Sequence, residues 1–222
     1  VFSRNLLVLF LLFLPACSST ESAVEEVSSW QEISGRDGGA SDTLRVPVYR
    51  ARVPLHWIRY DPNAGESIFD TMKANSEFSI EDPEGNVRVA VHNFPTAHRN
   101  ERIPPVAQVA RWKRQFTQME QISLREEPYA HGGFAGILFE ASGLVEEKRI
   151  AIIAVAMQLD GEHYQVLSQR NGTEAEEKLF RQQCANYTLK ASGPPSAIDE
   201  YRKEIVAFAR SFELIEEIPV RQ

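Results

Sequence analysis

The chain is short of the features that most often betray a function. It has only 2 cysteines in 222 residues, too few for the disulfide framework of a small secreted scaffold. It has no apolar run long enough to cross a bilayer, which takes about 20 residues. It has no excess of positive charge: 24 Lys and Arg stand against 31 Asp and Glu, a formal net charge of −7. That balance argues against nucleic acid, whose phosphates need a basic patch, and against electrostatic attachment to anionic lipid. Gly-x-Ser-x-Gly is missing, and with it the serine-hydrolase elbow. So are the phosphate loop Gly-x-x-x-x-Gly-Lys, a clean Gly-x-Gly-x-x-Gly, and His-Glu-x-x-His. No internal repeat or heptad array is present.

The features that are present begin at the N-terminus. Arg4 is the only charge before Cys17, and Leu6 to Leu14 is unbroken apolar sequence. A charged start, a short apolar stretch and small residues at a cut site make a secretory signal. The stretch ends Leu14-Pro15-Ala16-Cys17, which resembles the bacterial lipobox. The resemblance implies cleavage before Cys17, diacylglycerol on its thiol and acylation of the new amino group, so lipid on Cys17 would hold the protein on a membrane. Two or more acyl chains anchor stably where one does not. Ser18 after the lipidated residue implies the outer membrane, facing the periplasm, in a Gram-negative cell. Cleavage removes Arg4 and no acid, leaving the mature chain more acidic still. A chain opening on Val1 is read as the product of a non-ATG start codon.

The chain divides into three regions: a signal peptide over 1–16, the lipidated cysteine and a polar tether over 17–45, and one globular α/β domain over 46–222. The tether is rich in Ser, Glu, Gly and Asp, a composition that buries too little surface to order itself. Trp30 and Ile33 interrupt it, as a short docking segment or as a solitary exposed tryptophan.

Within the domain, Val46 to Val53 reads as a strand. Glu77 to Glu81 and Val87 to Phe94 flank Asp82-Pro83-Glu84-Gly85-Asn86, turn chemistry that makes the pair a β-hairpin. Pro104-Pro105 opens a helix to about Thr117 with Val109, Trp112 and Phe116 as its buried stripe. Phe134 to Ala141 and Ile150 to Met157 are strands, the second apolar at every position and so buried on both faces. Asp160-Gly161-Glu162 is read as a turn into a further antiparallel strand, His163 to Leu167. Thr173 with Glu176 forms a capping box for a helix to about Tyr187. After Gly193-Pro194-Pro195, Ser196 caps a last helix with Ile198, Tyr201, Ile205, Phe208 and Phe212 on one stripe. The sum is an α/β/α sandwich around a mainly antiparallel sheet.

At this level the chain resembles the PsbP-like family. The residues that carry the resemblance are Val53-Pro54-Leu55-His56-Trp57, the hairpin, the strand pair around Asp160-Gly161, and Ser211-Phe212-Glu213-Leu214. It spans roughly residues 46 to 215 and implies a small α/β/α domain. The family includes extrinsic photosystem II subunits and a relative that binds a Ran GTPase. No family site residue has a matching motif here.

Candidate chemistry is sparse. His56, His92, His98, His131 and His163 show no metal-ligand spacing; His92 and His163 could converge in space. His131-Gly132-Gly133 is similar to an oxyanion-hole loop, with a plain turn as its other reading. The pairs Glu126-Glu127, Glu146-Glu147 and Glu216-Glu217 read as solvated surface. Cys184, with no partner once Cys17 carries lipid, reads as a small buried hydrophobe rather than a catalytic thiol. Trp57, Tyr60 and Phe69 either line a ligand surface or close the core. No catalytic, metal or cofactor residue is assigned. Three functions stay open: a noncatalytic domain that binds a protein partner or supports an envelope assembly, an envelope hydrolase near His131, and a carrier of small ligands.

Overall fold

The computed structural model describes residues 28–34, 47–60, 74–96, 98–127, 133–169 and 172–215. The strands are β1 (Ser28–Ser34), β2 (Pro47–Pro54), β3 (Ile58–Tyr60), β4 (Ser76–Ile80), β5 (Val87–Phe94), β6 (Gln118–Glu127), β7 (Phe134–Val145), β8 (Lys148–Leu159), β9 (Asn186–Gly193) and β10 (Glu213–Leu214). The α-helices are α1 (Pro105–Lys113), α2 (Gly161–Ser168), α3 (Glu174–Gln183), α4 (Pro195–Glu200) and α5 (Arg202–Arg210). A seven-stranded sheet runs β3-β4-β5-β9-β8-β7-β6, and a three-stranded one runs β1-β2-β10. Every pairing among these strands is antiparallel. This is a mixed α/β fold with helices on both faces of its main sheet.

The two faces differ in their cover. The inner face carries Phe78, Val89, Leu138, Ile153, Val155, Tyr187 and Leu189, which join Ile198, Ile205 and Phe208 of α4 and α5 and Tyr49 of β2 in one core. Aromatic contacts bind it together: Phe208 lies 5.0 Å from Trp57, 5.5 Å from Phe78 and 5.2 Å from Phe212, centroid to centroid. On the outer face α1 presses Val109 and Trp112 onto Phe139, Ala141, Ile152, Ala154 and Ala156. β8 therefore buries both sides, as its unbroken apolar run requires.

Several sequence readings are corrected. His163 to Leu167 is helix, not strand: the Asp160 carboxylate accepts from the His163 N–H at 2.9 Å, so Asp160-Gly161-Glu162 is a helix start rather than a turn. The helix opened by the Thr173–Glu176 capping box stops at Gln183. The chain then enters β9, the central strand, whose alternation of Tyr187, Leu189 and Ala191 with Thr188, Lys190 and Ser192 serves two different faces. The last helix is two, α4 and α5, broken at Tyr201, and the N-cap of α4 is Pro194 rather than Ser196. The helix from Pro105 ends at Lys113, short of Thr117. Within the stretch read as tether, where Trp30 and Ile33 left a docking segment open, Ser28–Ser34 form β1, pair with β2 and bury Ile33 completely, while Trp30 is exposed. Cys17, the signal segment, Phe69, His131 and Glu216-Glu217 lie outside the described residues.

Candidate functional site

The register arranges the outer face into rows that cross the sheet. One row reads Glu77, Ala90, Lys190, Ala154, Phe139, Leu124 from β4 to β6. The next, from β5 to β6, reads His92, Thr188, Ala156, Ile137, Glu126. The third, starting from β4, reads Ser79, Arg88, Ser192, Ile152, Ala141, Ile122. The β4-β5-β9 half is thus polar and the β8-β7-β6 half apolar. Lys190 is only 2% exposed, at the middle of the sheet. Its two cross-strand neighbours are alanines, which leave room for its four-carbon stem. Beside it Arg88 grips Glu77 with two hydrogen bonds of 2.6 and 2.7 Å, the forked geometry that suits a carboxylate. Sequence reading missed this set, because its members come from strands far apart in the chain.

Among the described residues no strand pairs with the outer side of β6, the far edge of the sheet. β6 is ten residues long and, apart from Met119 and Glu127, exposed throughout. Ile122 and Leu124 are 48% and 50% exposed on the outer face. A bulge lies between Met119 and Gln121, and it crosses β7 at Gly143. A Cβ there would stand 2.1 Å from the Gln118 carbonyl oxygen, so only glycine permits the crossing. The C-terminal end is tied down by Arg210, which donates to the Glu127 carboxylate at 2.7 and 2.9 Å. Glu126 next to it points the opposite way into solvent, as adjacent strand residues must.

Beside β6 runs a trough of about 730 Å³ between the β6-β7 edge and α4. Gln121, Ser123, Glu140 and Ser142 line it on the strands, and Ile198, Asp199 and Arg202 on the helices. Glu140 pairs with Arg202 at 2.6 Å and Glu120 with Arg149 at 2.8 Å. The trough is a polar, largely charge-compensated surface. It suits a peptide or protein surface better than the apolar, enclosed site a small ligand prefers.

The other sequence candidates scatter. His56 Nε2 lies 3.3 Å from Glu204 Oε2, and the Trp57 indole N–H donates to the same oxygen at 3.4 Å. Trp57 itself is buried, closing the core, whereas Tyr60 is exposed. His92 is buried and stacked on Phe94; His98 is exposed. His163 is exposed on the first turn of α2, its Nδ1 2.9 Å from Asp160 Oδ2. The Asp160 carboxyl is held below its ordinary range chiefly by the backbone N–H of His163, helped by the imidazole. Among the described residues no hydroxyl or thiol hydrogen-bonds to His163, and no three His, Cys, Asp or Glu side chains gather as a metal site. Cys184 is a buried thiol at the end of α3. Glu146 and Glu147 form the exposed β7-β8 turn, both with positive φ.

The chain matches no protein-family model and no curated protein. Among solved structures it is similar to LpqN, involved in cell envelope biogenesis of Mycobacterium tuberculosis, at 12% identity. That match covers 90% of this chain and 98% of that one with a TM-score of 0.47. It is also similar to the cyanobacterial PsbP (CyanoP) of Synechocystis sp. PCC 6803, at 14% identity over 85% of this chain and 94% of that one, with a TM-score of 0.42. Both are likenesses of overall fold at low identity.

Proposed function

We propose that this protein is an envelope lipoprotein, anchored by lipid on Cys17, whose globular domain is a noncatalytic module that binds protein and supports an assembly at the membrane. The observation that carries the binding role is β6: a ten-residue sheet edge, bulged near its start, tied at its end by Arg210 and exposed between. An edge strand offers unmet N–H and C=O groups in a fixed row, and main-chain pairing to such a row is a recurrent way to hold a partner strand. Ile122 and Leu124 add apolar contact on one side, and the trough adds polar contact on the other. The lipobox resemblance supports the anchor, and Ser18 supports an outer-membrane address.

The Asp160–His163 contact is accounted for by helix capping and carries no hydrolase reading of its own. Two experiments test the proposal. Cys17→Ser is expected to move the protein from the membrane fraction to the soluble fraction, and unchanged retention would sink the anchor. A photo-crosslinking residue at Leu124 in intact cells is expected to yield protein adducts, while the same residue at Val106, exposed on α1, yields none. Equal, or no, adducts at both positions would sink the binding role of β6.

A further inference from the structure

We infer that the occupant of the β6 edge is a second copy of this chain, joined strand to strand about a twofold axis at Ser123. The inference rests on the reading of β6 as a pairing edge and names its partner.

The argument is one of self-complementarity. When two copies of one strand pair antiparallel about an axis normal to the sheet, each face meets its like, because opposite residues share a face. Centring the axis on Ser123 places Ile122 opposite Leu124 of the partner copy, and Leu124 opposite the partner's Ile122. The two most exposed apolar side chains of β6 then form one continuous stripe on the outer face. An isolated domain would leave this stripe in water beside an open edge, the arrangement that proteins otherwise blunt. Centring instead on Ile122, with the bulge between Met119 and Gln121 counted, sets Leu124 against Met119 and Arg125 against Gln118, an apolar match without a charge pair.

Charge completes the match. Without a bulge, the Ser123 register would set Glu120 against Glu126 of the other copy. The bulge between Met119 and Gln121 makes two residues oppose one, so Glu120 and Gln121 together face Arg125 of the other copy and Glu126 faces Met119. A like-charge clash becomes an opposite-charge pair, made twice by symmetry. Glu120 already holds Arg149 at 2.8 Å through one oxygen, and its second oxygen, without a partner among the described residues, can receive the arriving guanidinium. Among the described strands the opposite edge is β3, and a twofold at β6 uses up the same edge on both copies. The symmetry therefore closes at a dimer. In it the two troughs merge across the axis into one polar channel floored by both copies of β6 and β7. Lipid anchoring confines the copies to one surface and raises their effective concentration.

The test uses the full-length lipidated protein with Cys184→Ala. Ser123→Cys is expected to give an intermolecular disulfide under mild oxidation, since directly opposed Cβ atoms lie within reach of one. Val106→Cys is expected to give none. Ile122→Cys alone is expected to link poorly, and a mixture of Ile122→Cys with Leu124→Cys to link well. Arg125→Glu is expected to weaken dimerisation about tenfold by analytical ultracentrifugation in detergent, and adding Glu120→Arg to restore it. The dimer is overturned if the unsubstituted protein stays monomeric at all concentrations and Ser123→Cys links no better than Val106→Cys. It is also overturned if Ile122→Cys links to itself better than Ser123→Cys does. If Leu124 photo-crosslinks other proteins but never a second copy, the dimer falls while the binding edge stands; no adduct at all removes both.

Discussion

Arg210→Ala probes the tie that holds the end of β6. Glu127 is 7% exposed and lines a small cavity with Leu138, Val155, Met157, Val206 and Ala209. Among the described residues Arg210, with its two short hydrogen bonds, compensates the charge there. The same contact pushes the guanidinium further up from its ordinary value. Breaking a fully buried pair costs about 3–5 kcal/mol, whereas an exposed pair contributes roughly 0.2–1 kcal/mol. The Arg210 side chain is 45% exposed, so water reaches the abandoned carboxylate and the loss falls between those limits, at about 2 kcal/mol. With a urea slope of about 1–3 kcal/mol per M, that lowers the unfolding midpoint by roughly 1 M. Glu127→Gln removes the charge without the volume. The double variant is expected to be more stable than the sum of the single losses predicts, by about 1 kcal/mol or more. Hydrogen exchange is expected to show early opening of the β6 amides near Glu127. A midpoint unchanged by Arg210→Ala, or a coupling near zero in the cycle, would show that β6 is held by its ladder alone.

Other parts of the fold give three further expected outcomes. Phe208→Ala opens a cavity among Trp57, Phe78 and Phe212 and is expected to cost about 3–5 kcal/mol in chemical unfolding; a loss under about 1 kcal/mol would mean that the cluster repacks. Tyr49 and Tyr187 are wholly buried, and burial raises both phenols above the ordinary 10.0. A folded-state value above the unfolded one means that stability is fully present below pH about 10 and is lost as pH rises through the folded value. Spectrophotometric titration is therefore expected to show these phenols ionising only with unfolding, and Tyr187→Phe to move alkaline unfolding to higher pH. Glu146 and Glu147 hold φ of 47° and 67°, a left-handed conformation that costs a non-glycine residue roughly 1–2 kcal/mol. Replacing them with Asn-Gly, the preferred pair for such a two-residue turn, is expected to raise the thermal midpoint; no rise would put the turn's strain in doubt.

Local patterns in the sequence determined a good deal by themselves. The hairpin around Asp82 to Asn86, the apolar β8, the Thr173–Glu176 capping box and the apolar stripe from Ile198 to Phe212 each come from side-chain spacing or turn chemistry within a few residues. So did the mixed α/β class, because an unalternating strand needs cover on both faces. Tertiary structure decided whatever depends on neighbours distant in the chain. Asn186–Gly193 has too few apolar residues to announce the central strand; it is one because β5 and β8 satisfy its backbone on both sides. Ser28–Ser34 reads as tether until β2 supplies a ladder and a place for Ile33. His163 to Leu167 suits a strand by composition, and one carboxylate at Asp160 makes it a helix. The β6 edge was the least legible feature, since among the described residues no strand pairs with its outer side, and sheet order is a property of the whole chain rather than of any stretch within it.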